Sequence, residues 1–147
     1  STSDGSQADK MPAGYHWAKV VRAIRFKKDG TELRSSKTDD PQIMCVLANA
    51  KGEEVINYFT ISEKAAWTLS KFLSRAGADL DDMKDKGIEP AHFEDEAFAQ
   101  KHLLGRECWL YLEWKTGDSE PSNLAERVRF GELQQTRRKP ASLGSIV

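Results

Sequence analysis

Between Glu53 and Gly77 the chain changes its hydrophobic period, and no other feature limits its fold as strongly. The run Val55-Ile56-Asn57-Tyr58-Phe59-Thr60-Ile61 is rich in β-branched and aromatic residues and reads as a strand. From Glu63 to Ala76 the residues Ala66, Leu69, Phe72, Leu73 and Ala76 recur at helical spacing, with Lys64, Lys71 and Arg75 off that stripe and Trp67 at its edge. Ser62 stands where an N-cap hydroxyl would accept from the first-turn amides, and Glu63 where a carboxylate meets the positive end of the helix dipole. Gly77 follows the last apolar position, where a left-handed residue closes a helix. Which face of the strand points inward stays open, since Val55, Phe59 and Ile61 compete with Ile56 and Tyr58.

Two strand-like segments precede this unit and two follow it. The first, Tyr15 to Lys27, alternates imperfectly, and the adjacent pair Val20-Val21 predicts a phase slip of the β-bulge kind. Asp29-Gly30 signals a turn, and the segment to Pro41 reads as a polar, basic loop with a short strand extension around Leu33. The second strand, Gln42 to Ala50, is apolar on both parities, which predicts cover on both faces. Lys51-Gly52 makes a hairpin connection into the third. After the helix, residues 78–102 are acidic and weakly patterned, and Phe93, Ala97, Phe98 and Leu104 hint at a short helix after Pro90. The fourth strand, Arg106 to Lys115, sets Cys108, Leu110, Leu112 and Trp114 against Trp109, Tyr111, Glu113 and Lys115, and the first set makes the better core face. The fifth, Leu124 to Phe130, sets Leu124, Val128 and Phe130 inward. Residues 1–13, which lack the apolar stretch of a signal peptide, and residues 132–147 are expected to be mobile tails around one domain, 14–131.

The net charge of −1 conceals an asymmetry. Between Tyr15 and Thr38 stand Lys19, Arg22, Arg25, Lys27, Lys28, Arg34 and Lys37 against Asp29 and Glu32. Between Asp79 and Gln100 stand Asp79, Asp81, Asp82, Asp85, Glu89, Glu94, Asp95 and Glu96 against Lys84 and Lys86. A local field of one sign steers binding even when the total is near zero, so a polyanionic partner is compatible with this chain. No apolar run reaches the roughly 18 residues of a bilayer span. Cys45 and Cys108 lie inside strand-like runs and read as reduced core residues.

Signals for catalysis are poor. The chain has no phosphate-cradling glycine loop and no serine elbow, and His16, His92 and His102 stand at no metal or nucleophile spacing from the cysteines. The run from Asp79 to Gly87 resembles a calcium loop only briefly, since Met83 holds the fifth position and Lys84 the glycine position. No enzyme activity, metal or cofactor is expected.

Aromatic residues interleaved with basic ones carry more weight. Trp109 and Tyr111 share the parity opposite the expected core face of the fourth strand. Two readings stand side by side: a base-stacking platform, worth about 1–3 kcal/mol per stacked base, or rings covered by the 78–102 segment. On the first strand Trp17 precedes Lys19, Arg22 and Arg25, and the following loop supplies Lys27, Lys28, Arg34 and Lys37 for a phosphate backbone. Tyr58 is a further stacking candidate, and Arg127 and Arg129 on the last strand are further phosphate contacts.

Three strands, a helix and two strands is the connectivity of the OB-fold, a five-stranded Greek-key barrel that binds oligonucleotides. The chain also resembles a family of phage and prophage proteins regarded as OB-fold single-stranded-DNA-binding proteins. The resemblance lies in Gly14-Tyr15 with Val21 and Ala23; in Ser36-Lys37-Thr38; in Asn57 through Trp67 leading to Leu73 and Gly77; and in Leu103-Leu104-Gly105-Arg106-Glu107. It covers roughly residues 12–131. It implies binding of single-stranded DNA with little sequence preference during replication or recombination in the bacterial cytoplasm, without metal or nucleotide. Replication or recombination proteins and further copies of the chain are the other partners it allows. The acidic segment 79–96 is longer than the simplest form of the pattern, and the C-terminal end lacks the acidic tail by which bacterial single-stranded-DNA-binding proteins recruit partners. A rival reading makes the barrel a protein–protein interaction module whose acidic face mimics or repels nucleic acid.

Overall fold

The computed structural model describes residues 9–115 and, for the strand 125–130, the backbone. The expected outer N-terminal tail (1–8), the loop after the fourth strand and the C-terminal tail lie outside the described residues, as do the side chains from Trp114 onward. In order come β1 (Gly14–Ile24), β2 (Gln42–Ala48), β3 (Glu54–Thr60), α1 (Ala66–Arg75), α2 (Leu80–Asp85), a 3₁₀ turn (Pro90–Glu94), α3 (Glu96–Leu103), β4 (Glu107–Lys115) and β5 (Ala125–Phe130). The protein is mainly β, a curled antiparallel sheet in the order β3-β2-β1-β4, and the backbone of β5 pairs with the outer edge of β4.

Alternation fills the concave side of the sheet. Ala18, Val20 and Ala23 of β1, Ile43, Cys45 and Leu47 of β2, Val55 and Phe59 of β3, and Cys108, Leu110 and Leu112 of β4 form one buried cluster. Leu69, Phe72 and Leu73 of α1 close it from one side, with the Phe59 and Phe72 rings 5.3 Å apart. This settles the face of β3: Val55, Phe59 and Ile61 point in, whereas Ile56 and Tyr58 point out. Phe59 decides the matter, because burying its ring against the Phe72 ring of α1 removes a large apolar surface from water.

The expected slip in β1 is present. Pairing with β2 shifts register between Val20 and Arg22, so Val21 is the extra residue of a bulge. Before it, β1 pairs with β4 from Gly14↔Leu112 to Lys19↔Glu107. Beyond it, no described strand continues on that side, and α3 caps the backbone instead. Gln100 Nε2 donates to the Ala23 carbonyl at 3.0 Å, and the Arg25 amide donates to Glu96 Oε2 at 2.8 Å. An otherwise open strand edge is thereby covered by a helix.

Several expectations need correction. The helix begins at Ala66 rather than Glu63; Ser62 instead closes a preceding turn, accepting the Ala65 amide on Oγ at 3.1 Å and the Ala66 amide on its carbonyl at 2.8 Å. Its end is as expected, since Gly77 adopts φ 90° while Ala78 and Gly77 donate to the Leu73 and Ser74 carbonyls in a Schellman arrangement. The N-terminal tail is shorter than expected. Glu54 donates to the Asp9 carbonyl, Met11 donates to the Glu54 carbonyl, and the Met11 side chain lies fully within the core. β1 ends at Ile24 rather than Lys27, although Leu33 does lie between the strand ends, donating to the Arg25 carbonyl and accepting from Gln42. The acidic segment is more than a connector, because Phe93, Ala99 and Leu103 join the core. Within it, the calcium-like run is helix α2, whose N-cap Asp79 accepts the Asp82 amide at 3.0 Å.

Candidate nucleic-acid interface

Beyond the bulge, Arg22, Ile24 and Phe26 share the outward parity of β1, and the register sets them beside outward residues of β2 and β3. Ile24 pairs with Met44 and Met44 with Tyr58; Arg22 pairs with Val46 and Val46 with Ile56. Two short rows therefore cross three strands, one apolar and one that begins at Arg22 and has Val46 buried at its centre. Tyr58 is 51% exposed and Ile56 and Phe26 are exposed as well, while Met44 and Ile24 are half-buried. At the loop end the pair Gln42↔Thr60 finishes the face with a side-chain hydrogen bond, Gln42 Nε2 to Thr60 Oγ1, at 3.1 Å.

The β1–β2 loop borders this face and is built on Arg25. That side chain is 1% exposed, and its donors hold the loop base together: Nε to the Glu94 carbonyl at 2.9 Å, Nη1 to the Leu33 carbonyl at 3.0 Å and the Gln42 carbonyl at 2.8 Å, and Nη2 to the Glu32 carboxylate. Arg25 was expected to follow phosphates; its buried position and its full set of bonds make it the loop's internal anchor instead. Arg34 is exposed but bonded to Glu32 at 2.7 Å and Asp39 at 3.1 Å. Hydrogen bonds from Arg34 and Arg25 hold Glu32 below its ordinary range, and bonds to Glu32 and Asp39 raise Arg34. Asp29 is likewise lowered, chiefly by its hydrogen bonds from Thr31 and further by Lys27. Of the cations singled out in β1 and this loop, Arg22, Lys27, Lys28 and Lys37 face solvent without a salt bridge among the described residues.

The aromatic ladder between β1 and β4 has a different character. Trp17 and Trp109 are opposite one another, edge to face at 5.6 Å, and only 7% and 8% exposed. Trp17 Nε1 donates to Glu107 Oε1 at 2.7 Å. Neither ring is offered for stacking, which corrects the sequence-based expectation for both. The buried residues of the 78–102 segment join the main core, while the two tryptophans form a separate cluster. Tyr111 is half-buried beside Tyr15, ring centres 4.7 Å apart, and Lys19 is half-buried opposite Glu107. Arg127 and Arg129 stand opposite Glu113 and Tyr111 in the register of β5, and their side chains lie outside the described residues.

Of the residues singled out from sequence, then, Arg22 and Tyr58 stand on one face, and Lys27, Lys28, Lys37 and the partly neutralised Arg34 belong to the loop that follows β1. Ile24, Phe26, Met44 and Ile56 belong to the same face and were missed. The slip at Val20-Val21 was the available signal for Ile24 and Phe26, because it moves them onto the outward parity. Met44 and Ile56 needed the strand register, which no local pattern contains. No family model and no curated protein sequence matches the chain.

Proposed function

We propose that the chain is an OB-fold protein that binds single-stranded DNA with little sequence preference and without enzymatic activity, in phage-type replication or recombination. The strand neighbours β3-β2-β1-β4-β5 are those of a five-stranded Greek-key barrel cut between β3 and β5, and α1 approaches both of those strands, as a helix placed between β3 and β4 at the barrel end would. In OB-folds the face of the second and third strands, flanked by the loop between the first two, takes the oligonucleotide.

One observation carries the functional reading: the outward row Ile24–Met44–Tyr58 ends in an exposed tyrosine ring and lies beside a loop whose Lys27, Lys28 and Lys37, with Arg22, form no salt bridge among the described residues. Apolar and aromatic side chains take the faces of bases regardless of sequence, and lysines and arginines on the adjoining loop follow the backbone. Tyr58, Met44 and Ile56 are assigned to base contact, and Arg22, Lys27, Lys28 and Lys37 to phosphates. Titration with an oligothymidylate at low salt tests the assignment: saturable binding weakened in Tyr58→Ala is expected, and absence of binding overturns it.

A further inference from the structure

Outside this face the most exposed large apolar side chain among the described residues is Trp67, on α1, at 63%. It is turned away from Leu69, Phe72 and Leu73, the residues by which the helix enters the core. Lys71 and Arg75 follow at four-residue steps, so the three side chains line one solvent face of the helix. From Lys64 to Ala78, between Glu63 and Asp79, the chain contains three basic residues and no carboxylate. None of the three cations forms an ion pair among the described residues.

The line continues past the helix end. Arg75 borders an open groove of about 740 Å³ with Lys101 and Arg106, lying between the end of α1 and the turn from α3 into β4. Glu107 is the one carboxylate in its lining, and it accepts the Trp17 indole. Asp79 and Asp82 line an adjoining pocket with Lys101 and Arg106, where Asp79 caps α2 and Asp82 pairs with Lys86 at 2.8 Å. His102, also in the groove lining, is held below its ordinary value chiefly by burial and further by Lys101, Arg106 and Lys86. Cations at helix C-termini are favoured by the dipole alone, and this accounts for Arg75 and Lys101. It does not account for an indole left in water between Lys64 and Lys71.

We infer that α1 carries a second track for single-stranded nucleic acid, in which Trp67 stacks a base and Lys71, Arg75, Lys101 and Arg106 follow the backbone of a strand leaving the β2–β3 face. Charge decides the occupant, since four cations in line with one aromatic ring suit a polyanion of stacked rings better than a basic or apolar polypeptide. The inference rests on the proposed function of the sheet face. Trp67 lies nine residues after Tyr58, and α1 packs against β3, so the two tracks sit on adjoining elements.

Strand length separates the two. An oligothymidylate of about 6 nucleotides covers the sheet face alone, whereas one of about 20 exceeds the span of a single OB-fold face. With the full chain, Trp67→Ala and the double variant Lys71→Ala/Arg75→Ala should leave binding of the short strand unchanged and weaken the long strand by about tenfold. The double variant should also flatten the log–log salt dependence for the long strand by about 1.4, two phosphates at 0.7 each. These positions are exposed, and an unchanged melting temperature confirms that the fold is retained. If the short strand binds and both variants hold the long one as tightly as the parent chain, the second track is refuted while the sheet face stands. If the parent chain binds neither strand, the sheet-face reading fails and this inference with it.

Discussion

Arg25 and Glu32 form an ion pair at the base of the β1–β2 loop, the arginine side chain 1% exposed and the glutamate one-third exposed. The pair joins the end of β1 to the loop that carries Lys27, Lys28 and Lys37. Through the Glu94 carbonyl, Arg25 also ties the loop to the 3₁₀ turn before α3. A charge placed this deep is tolerated because its donors meet acceptors on several sides. Replacing it with alanine removes its donors from the carbonyls of Leu33, Gln42 and Glu94 and leaves Glu32 with Arg34 alone. Arg25→Ala is expected to lower stability by about 3 kcal/mol in urea unfolding, a far larger loss than for Lys27→Ala or Lys28→Ala on the loop surface.

The same pair makes the loop sensitive to acid. Glu32 is held below its ordinary value of 4.5 by hydrogen bonds from Arg34 and Arg25. A carboxylate whose folded value is depressed contributes stability above its unfolded value, and that contribution is lost as pH falls through the folded one. Stability should therefore decline as pH drops below about 4.5, with the loss continuing to lower pH. Glu32→Gln should be less stable at neutral pH and show a shallower acid limb, measured as melting temperature against pH.

Trp109 separates a core role from a surface one. At 8% exposure, edge to face with Trp17, it is packed rather than displayed. Trp109→Ala is expected to cost about 3–5 kcal/mol of stability. A binding defect at unchanged stability would instead return the ring to the interface.

Burial also decides the chemistry of the cysteines. Desolvation pushes both Cys45 and Cys108 up to about 12, so almost no thiolate is present at neutral pH. Both should resist a thiol reagent in the native protein and react promptly once it is unfolded in denaturant.

Local chemistry made much of this legible. The order of strands and helix, the Schellman ending at Gly77, the bulge at Val20-Val21 and the core face of β4 up to Leu112 all follow from residues within a few positions of one another. The errors arose where distant partners decide. Arg25 reads as a surface cation until Glu94 and Glu96, some seventy residues later, are brought beside it. Met11 reads as tail until β3 supplies the backbone partners that fix its neighbours. Trp17 and Trp109 read as an aromatic platform because parity reports the face on which a ring lies, not whether that face is covered. Tyr58 was ambiguous on its own strand and became clear only when Phe59 was found against Phe72.

The central claim is most directly tested by fluorescence-anisotropy titration of a labelled oligothymidylate with the parent chain and with Tyr58→Ala, between 50 and 200 mM salt. With Arg22, Lys27, Lys28 and Lys37 neutralising about four phosphates, the log–log slope should be near −3, a loss of roughly fifty-fold across that range. Tyr58→Ala should weaken binding by about 1–3 kcal/mol while keeping the parent's melting temperature. Absence of binding at 50 mM salt, or binding that ignores both salt and the Tyr58 substitution, would contradict the account.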